Sequence, residues 1–275
     1  MKPIQFLWVF LIFLASTDSF AESKEQYTLF NPTPRDRMRE LSTDRPDKTE
    51  SAYTVDAGHF QHETDIISYT FDREGGVTNE SYLLGVPNLK VGLTNSTDLQ
   101  IIPETYVYQR SRTPRSKSSG FGDTVVRLKH NLFGNDEGEM ALSVMPYIKL
   151  PTARGELGNG KVEGGLIVPW GLDFTESIGI GTTTTFDNVR DSDNEGNHFE
   201  FSQSGTLGAD LTDKIGAYIE LWTSLSARER GPLVTFDAGF TYALCEDTQL
   251  DIGLNTGLTD QTDDLNPFLG ISQRF

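Results

Sequence analysis

The sequence lacks most of what holds exported or membrane-bound chains together. It has one cysteine, Cys245, so no disulfide can form within the chain and export is not stapling a small fold. Cys245 reads as a turn residue with no redox role. Beyond the first 21 residues no apolar run approaches the roughly 20 residues a membrane-crossing helix needs. Positive charge is scarce: 23 Lys and Arg against 40 Asp and Glu leave a net charge of -17. That balance argues against a nucleic-acid partner, whose phosphates attract a basic surface. It suits a chain that must stay soluble before insertion, and it would bias a pore toward cations. The mean hydropathy is negative. A barrel in which only alternate residues meet lipid has such an average as readily as a soluble protein does.

What is present begins with an export signal. Lys2 precedes an apolar stretch over residues 4–14 broken only by Gln5. Ser19-Phe20-Ala21 then fits a small-x-small cleavage site, which makes residues 1–21 a signal peptide rather than a retained anchor. Its removal takes away Lys2 and Asp18 and leaves the charge balance unchanged. Residues 22–56 form a polar periplasmic lead-in, interrupted by Pro32, Pro34 and Pro46, with no pattern of strand or helix.

From residue 57 to 275 the pattern is period two. Val234, Phe236, Ala238, Phe240, Tyr242 and Leu244 alternate with Thr235, Asp237, Gly239, Thr241 and Ala243. Residues 215–225 and 249–258 do the same, and eight upstream stretches repeat the pattern less cleanly. Two of these, 58–71 and 82–93, read as longer strands with a register change or bulge. Strict alternation over about ten residues is a strand with one oily and one polar face. Short turns at 95–97, 134–138, 175–177, 212–213 and 245–248 alternate with longer polar loops at 110–120, 153–161 and 189–197. The fold expected is all-β: a transmembrane antiparallel up-and-down β-barrel of about 12 strands, with tight turns and both termini on the periplasmic side. A soluble sandwich or lipocalin-like barrel is the competing fold. It would turn its apolar faces inward, whereas here Phe121, Phe133, Phe174, Phe186 and Phe199 sit near strand ends, where interfacial girdles belong.

The register places charges inside. Lys90, Glu104, Asp123, Arg127, Lys129, Lys149, Glu163, Glu220, Asp237 and Asp251 are the lumen-lining candidates, with Glu63, Asp65, Asp173, Glu200, Asp210 and Arg274 on the same face. Such charges must be paired or wet. They would either set the ion preference of a pore or only hold strands in register.

Other constellations are weaker. His59 and His62 are three apart and face opposite sides of a strand, so they cannot chelate together, and His198 with Glu200 makes only two ligands. No metal and no cofactor is expected. Residues 155–161 match G-x-x-x-x-G-K, but Val162 stands where Ser or Thr would be needed and no helix follows. A membrane-embedded lipid hydrolase would need Ser and His side by side on an outward face. His130 has Leu132 at the relevant place, and only a cross-strand pair would serve.

One segment carries a resemblance. Thr43-Asp44-Arg45-Pro46-Asp47-Lys48-Thr49-Glu50-Ser51, followed by Gly58-His59-Phe60-Gln61-His62-Glu63, resembles the T-D-R-P-D-x-T-E-S opening and G-x-x-Q-x-E first strand of an outer-membrane transporter family, labelled Putative MetA-pathway of phenol degradation. Gly120 to Asp123 and Lys149-Leu150-Pro151-Thr152 fit the same pattern. The resemblance covers residues 42–275. It implies a non-enzymatic channel for small solutes, hydrophobic or aromatic ones among them, in a Gram-negative outer membrane. A lipid hydrolase and a closed structural or binding barrel are the alternatives. Thr43, Asp44, Arg45, Pro46, Asp47, Thr49 and Glu50 would form a tether for the first strand or a plug at the periplasmic mouth; the rigidity of Pro46 favours the tether. The partners expected are outer-membrane lipid and lipopolysaccharide, an unidentified solute, and the insertion machinery. The last would read the C-terminal strand of Leu269, Ile271 and Phe275, in which Gln273 replaces the usual apolar residue.

Overall fold

The computed structural model describes residues 24–112, 115–153, 157–158, 160–191, 196–228 and 231–275. The proposed signal peptide, and parts of the loops at 153–161 and 189–197, lie outside the described residues. Among the described residues fourteen strands follow the lead-in. The first seven are β1 (Phe60–Glu74), β2 (Val77–Thr94), β3 (Thr97–Pro103), β4 (Val107–Arg112), β5 (Arg115–Gly120), β6 (Thr124–Phe133) and β7 (Met140–Leu150). The others are β8 (Glu163–Thr175), β9 (Ile178–Arg190), β10 (Asn197–Thr212), β11 (Ile215–Ser226), β12 (Leu233–Cys245), β13 (Thr248–Gly257) and β14 (Leu265–Arg274).

Twelve of these close a barrel. Neighbours in sequence pair antiparallel, β3 pairs with β6, and β1 pairs with both β2 and β14, so the ring has no free edge. The expected polar loop at 110–120 is corrected: it is a hairpin, β4–β5, that extends β2 beyond the end of β3. Beyond Tyr108 both faces of this hairpin are polar, so the apolar-polar alternation that marks the other strands disappears there. The two-residue turn Gly75-Gly76 joins β1 to β2 with φ of 58° and 84°. Those angles are the positive pair a twisted hairpin requires and that glycine adopts freely. Ile66 is a bulge where β1 meets β14, which turns Ile66 and Ile67 outward together.

The usual distribution of residues is inverted. Phe240 and Ile252 are each 55% exposed, while Lys129 is 1% and Asp237 0% exposed. The five girdle phenylalanines are all exposed. Oily residues cover the outside and charges fill the middle. That arrangement is stable only when lipid replaces water outside and every buried charge has a partner.

Candidate functional site: the lumen and the segment inside it

The described lead-in starts at the turn-bearing end of the barrel and is tied to its rim. Arg39 donates to Asp136 at 2.9 Å and to Asn95 Oδ1 at 3.0 Å, and lies 3.3 Å from Asp56. Lys24 meets the same Asp136 carboxylate at 2.8 Å. Burial pushes the Asp136 carboxyl up, but the Lys24 ammonium, the Asn95 amide and Arg39 outweigh it and hold the group below its ordinary value. Arg274 reaches Asp247 at 2.8 Å and Asp56 at 3.4 Å. His59 bridges the carbonyls of Thr33, at 2.7 Å, and Phe275, at 3.0 Å.

From Ser42 the chain enters the lumen, reaches its apex near Lys48, and returns to leave beside Gly92 at Ala57. It has no helix or strand, so its backbone must find partners elsewhere. The wall supplies them. Glu63 accepts the N–H groups of Asp44 (2.9 Å) and Arg45 (3.2 Å). Glu220 accepts those of Lys48 (3.0 Å) and Thr49 (2.8 Å). Thr183, Asn135 and Asp98 take those of Glu50, Thr54 and Val55 at 2.9, 3.1 and 3.0 Å. On the returning limb Lys129 donates to the Ser51 carbonyl at 2.8 Å, and Asn131 and Ser143 donate to that of Ala52.

The side chains divide by charge. Lys90, Arg127 and Lys129 form a basic wall on β2 and β6, while Asp65, Glu220, Asp237 and Asp251 form an acidic wall on β1 and β11–β13. Four charged side chains of the segment meet a wall of opposite sign, while a fifth, Asp47, lies near Glu220 of like charge. Asp44 lies 2.5 Å from both Lys90 and Lys129, and Glu50 lies 2.5 Å from Arg127. Arg45 donates to Asp65 and Asp251, each at 2.6 Å, with its guanidinium 5.5 Å from the Phe268 ring centroid. Lys48 donates to Asp237 at 2.5 Å and Thr235 at 2.8 Å, and sits over Trp222. Thr49 bonds Ser204 and Glu220 at 2.7 and 2.6 Å. Gly270 makes room for Arg45: a Cβ there would lie 2.1 Å from the guanidinium.

Thr43 accepts from Gln249 at 3.3 Å. Pro46 and Asp47 border a cavity of about 360 Å³ between the segment and β8–β11, with Tyr53, Gly181, Thr206 and Tyr218 on its other sides. The remaining lumen candidates gather at the opposite mouth, away from the segment. Glu104 accepts the Asp123 N–H at 3.1 Å, and Lys149 joins Glu163 and, at 3.8 Å, Asp123. Sequence reasoning passed over Lys48, Asp98, Gln100 and Ser204. Alternation along β3 and β10 carried the signal for the last three, but nothing periodic marks Lys48.

Among the described residues no histidine hydrogen-bonds a serine hydroxyl. His62 and His130 bond Thr64 and Thr97, His59 bonds carbonyls, and His198 sits between Asp191 at 2.7 Å and Glu200 at 2.9 Å. Among the described residues no group of three His, Cys, Asp or Glu is placed to hold a metal ion.

Comparison with known proteins adds a family and a fold. The model of the family described as Putative MetA-pathway of phenol degradation matches residues 43–275. No curated protein matches the chain in sequence. Among solved structures, an outer membrane channel from Pseudomonas putida F1 is 14% identical and superposes with a TM-score of 0.57 over 79% of this chain and 93% of its own. The NanC porin is 8% identical, with a TM-score of 0.52 over 78% of this chain and 98% of its own. At such identities the likeness is one of fold.

Proposed function

Because this chain belongs to the Putative MetA-pathway of phenol degradation family, we propose that it is an outer-membrane channel for small solutes, shut by its own residues 42–57. The observation that carries this reading is the match of charge between the segment and the two walls. Asp44 and Glu50 meet the basic wall, and Arg45 and Lys48 the acidic one. A tether needs only the contacts at the rim. A segment that sets four charges against the two walls occupies the path a solute would take.

Moving the segment aside leaves a narrow lumen with a transverse field and an excess of acids, which favours cations and polar or dipolar solutes. Trp222, Tyr218 and Phe268 also face it, and small aromatic solutes fit the family's description. The short turns and both ends of the mature chain lie on the periplasmic side in this reading. The apolar face contacts membrane lipid, and the insertion machinery reads the strand that ends in Phe275.

Planar bilayers and liposome swelling test the proposal. Thr49 and Ser204 touch through their hydroxyls, so Thr49→Cys with Ser204→Cys, in a Cys245→Ala background, should lock the segment when oxidised. Ion and benzoate flux should vanish on oxidation and return on reduction. A barrel that passes nothing in either state, and nothing when the segment's anchors are removed, is a closed structural barrel and not a channel.

A further inference from the structure

The outward face of the barrel ends in a row of tyrosines and then turns basic. Tyr69, Tyr82 and Tyr108 lie side by side across β1, β2 and β4, with ring centroids 4.8 and 5.9 Å apart. Phe60 marks the other end of the same face of β1. Nine residues at about 3.3 Å each, tilted by about 40°, separate Phe60 from Tyr69 by roughly 23 Å. That is close to the height of the apolar band, so the tyrosines sit at the membrane interface.

Two residues further out, Arg110 pairs in register with Lys117; four residues out, Arg112 pairs with Arg115; and Arg73 shares their face on β1. Five cations thus stand together on a chain of net charge -17. Glu80 is the acid among them, accepting from Arg112 at 2.8 and 3.1 Å with Arg110 at 4.0 Å. Arg73, Arg115 and Lys117 are exposed. The inner face of the same sheet carries Thr70, Asp72, Asn79, Ser81, Ser111 and Ser118, none of them basic. The positive charge is therefore confined to the side that faces the lipid leaflet.

We propose that this patch binds the phosphorylated head group of an outer-leaflet glycolipid of the lipid A type. Arg73, Arg110, Arg115 and Lys117 hold its phosphates, and its acyl chains lie against the apolar face below the tyrosines. Cations just above an aromatic belt meet lipid phosphates at short range, where screening is weakest. The site rests on the proposed orientation, with the β4–β5 hairpin outside the cell.

Native mass spectrometry of the refolded full chain in detergent, titrated with lipid A, tests the site. Replacing three cations, as Arg110→Gln, Arg115→Gln and Lys117→Gln, keeps the Arg112–Glu80 pair and should weaken binding roughly 100-fold, at about a factor of five per charge. Lys214→Gln, at the opposite end, should change nothing. Dephosphorylated lipid A should bind as weakly as the triple variant, and millimolar inorganic phosphate should not displace the lipid. The site is overturned by a triple variant that binds as the parent does, by equal binding of the dephosphorylated lipid, or by displacement with free phosphate. Orientation is read separately, by labelling Ser116→Cys, in a Cys245→Ala background, with an impermeant maleimide on intact cells. Labelling there with no lipid A binding in detergent removes this site alone. Failure to label removes the orientation and the lipid assignment together.

Discussion

Asp44→Asn is the sharpest perturbation of the lumen. The Asp44 carboxylate sits between two buried ammonium groups, 2.5 Å from each, and takes the Ser51 N–H at 3.0 Å. Removing its charge leaves Lys90 with Glu63 as a counter-ion and leaves Lys129 with the Ser51 carbonyl and, opposite it in register on β3, the Asp98 carboxylate. Stranding one partner of a buried pair costs about 3–5 kcal/mol. Because both lysines keep a carboxylate nearby, the cost is about 3 kcal/mol at most, the lower end of that range. The penalty falls on the seated segment, since a released segment leaves Lys129 in a wet lumen where water solvates it. The ratio of seated to released chains should therefore fall, by up to roughly two orders of magnitude. Ion flux through liposomes should rise by a similar factor, as long as most wild-type molecules are seated. The wall's hydrogen-bond ladders do not involve Asp44, so the heat-dependent gel shift of the folded barrel should be unchanged. Adding Lys129→Met removes the excess buried positive charge and should recover most of the closure. The reasoning fails if Asp44→Asn conducts like the parent with its barrel intact, or if Asp44→Asn with Lys129→Met leaks as much as Asp44→Asn alone.

Three further outcomes follow from the same geometry. Gly270→Ala places a methyl where the Arg45 guanidinium lies; it should loosen the pairs to Asp65 and Asp251 and raise flux, and a larger side chain there should raise it further. Glu50→Gln and Arg127→Met, combined in a double-mutant cycle on flux, should show a coupling of about 0.5–3 kcal/mol, whereas additive effects would show that the 2.5 Å contact does not hold the segment. Asp136 has its folded-state pKa depressed, so its contribution to holding the lead-in is fully present above the ordinary carboxylate value near 3.9 and is lost as pH falls through the lower folded value. A spin label at Glu40→Cys, in a Cys245→Ala background, should grow mobile on acidification through that range, and Asp136→Asn should flatten that part of the curve.

The parts of the fold legible in the sequence are those that repeat. Side chains on a strand alternate with a period of two, and lipid on one side keeps that face apolar along its whole length, as at Phe236, Phe240 and Tyr242 against Asp237. The inward positions of Lys90, Lys129, Glu220 and Asp251 could be read for the same reason. Where lipid ends, the signal ends. The β4–β5 hairpin has arginine and lysine on one face and serine and glutamine on the other, so it resembles a loop until its pairing with β2 is seen. The path of residues 42–57 has no period at all. Its contacts join positions as far apart as Arg45 and Asp251, and no local pattern encodes them. Lys48 is the extreme case, a free position by motif whose ammonium nevertheless meets Asp237, Thr235 and Trp222.

The chemistry of the segment's contacts bears on how it can move. An apolar plug would be held by burial, and leaving would expose its surface to water at a cost of about 25 cal/mol for each Å². This segment is held by ion pairs and by carboxylates that accept its backbone N–H groups. On release, water replaces each of these contacts on both sides, so the net free energy of seating is far smaller than the gross count suggests. Specificity of position is nonetheless high, because an N–H of Asp44 or Thr49 without its carboxylate would be an unmet donor in a crowded lumen. The barrel wall gains little from the segment, since its strands are closed by their own ladders. In the proposed channel, a lumen built this way would keep one well-defined shut arrangement while leaving a route out of it that does not unfold the protein.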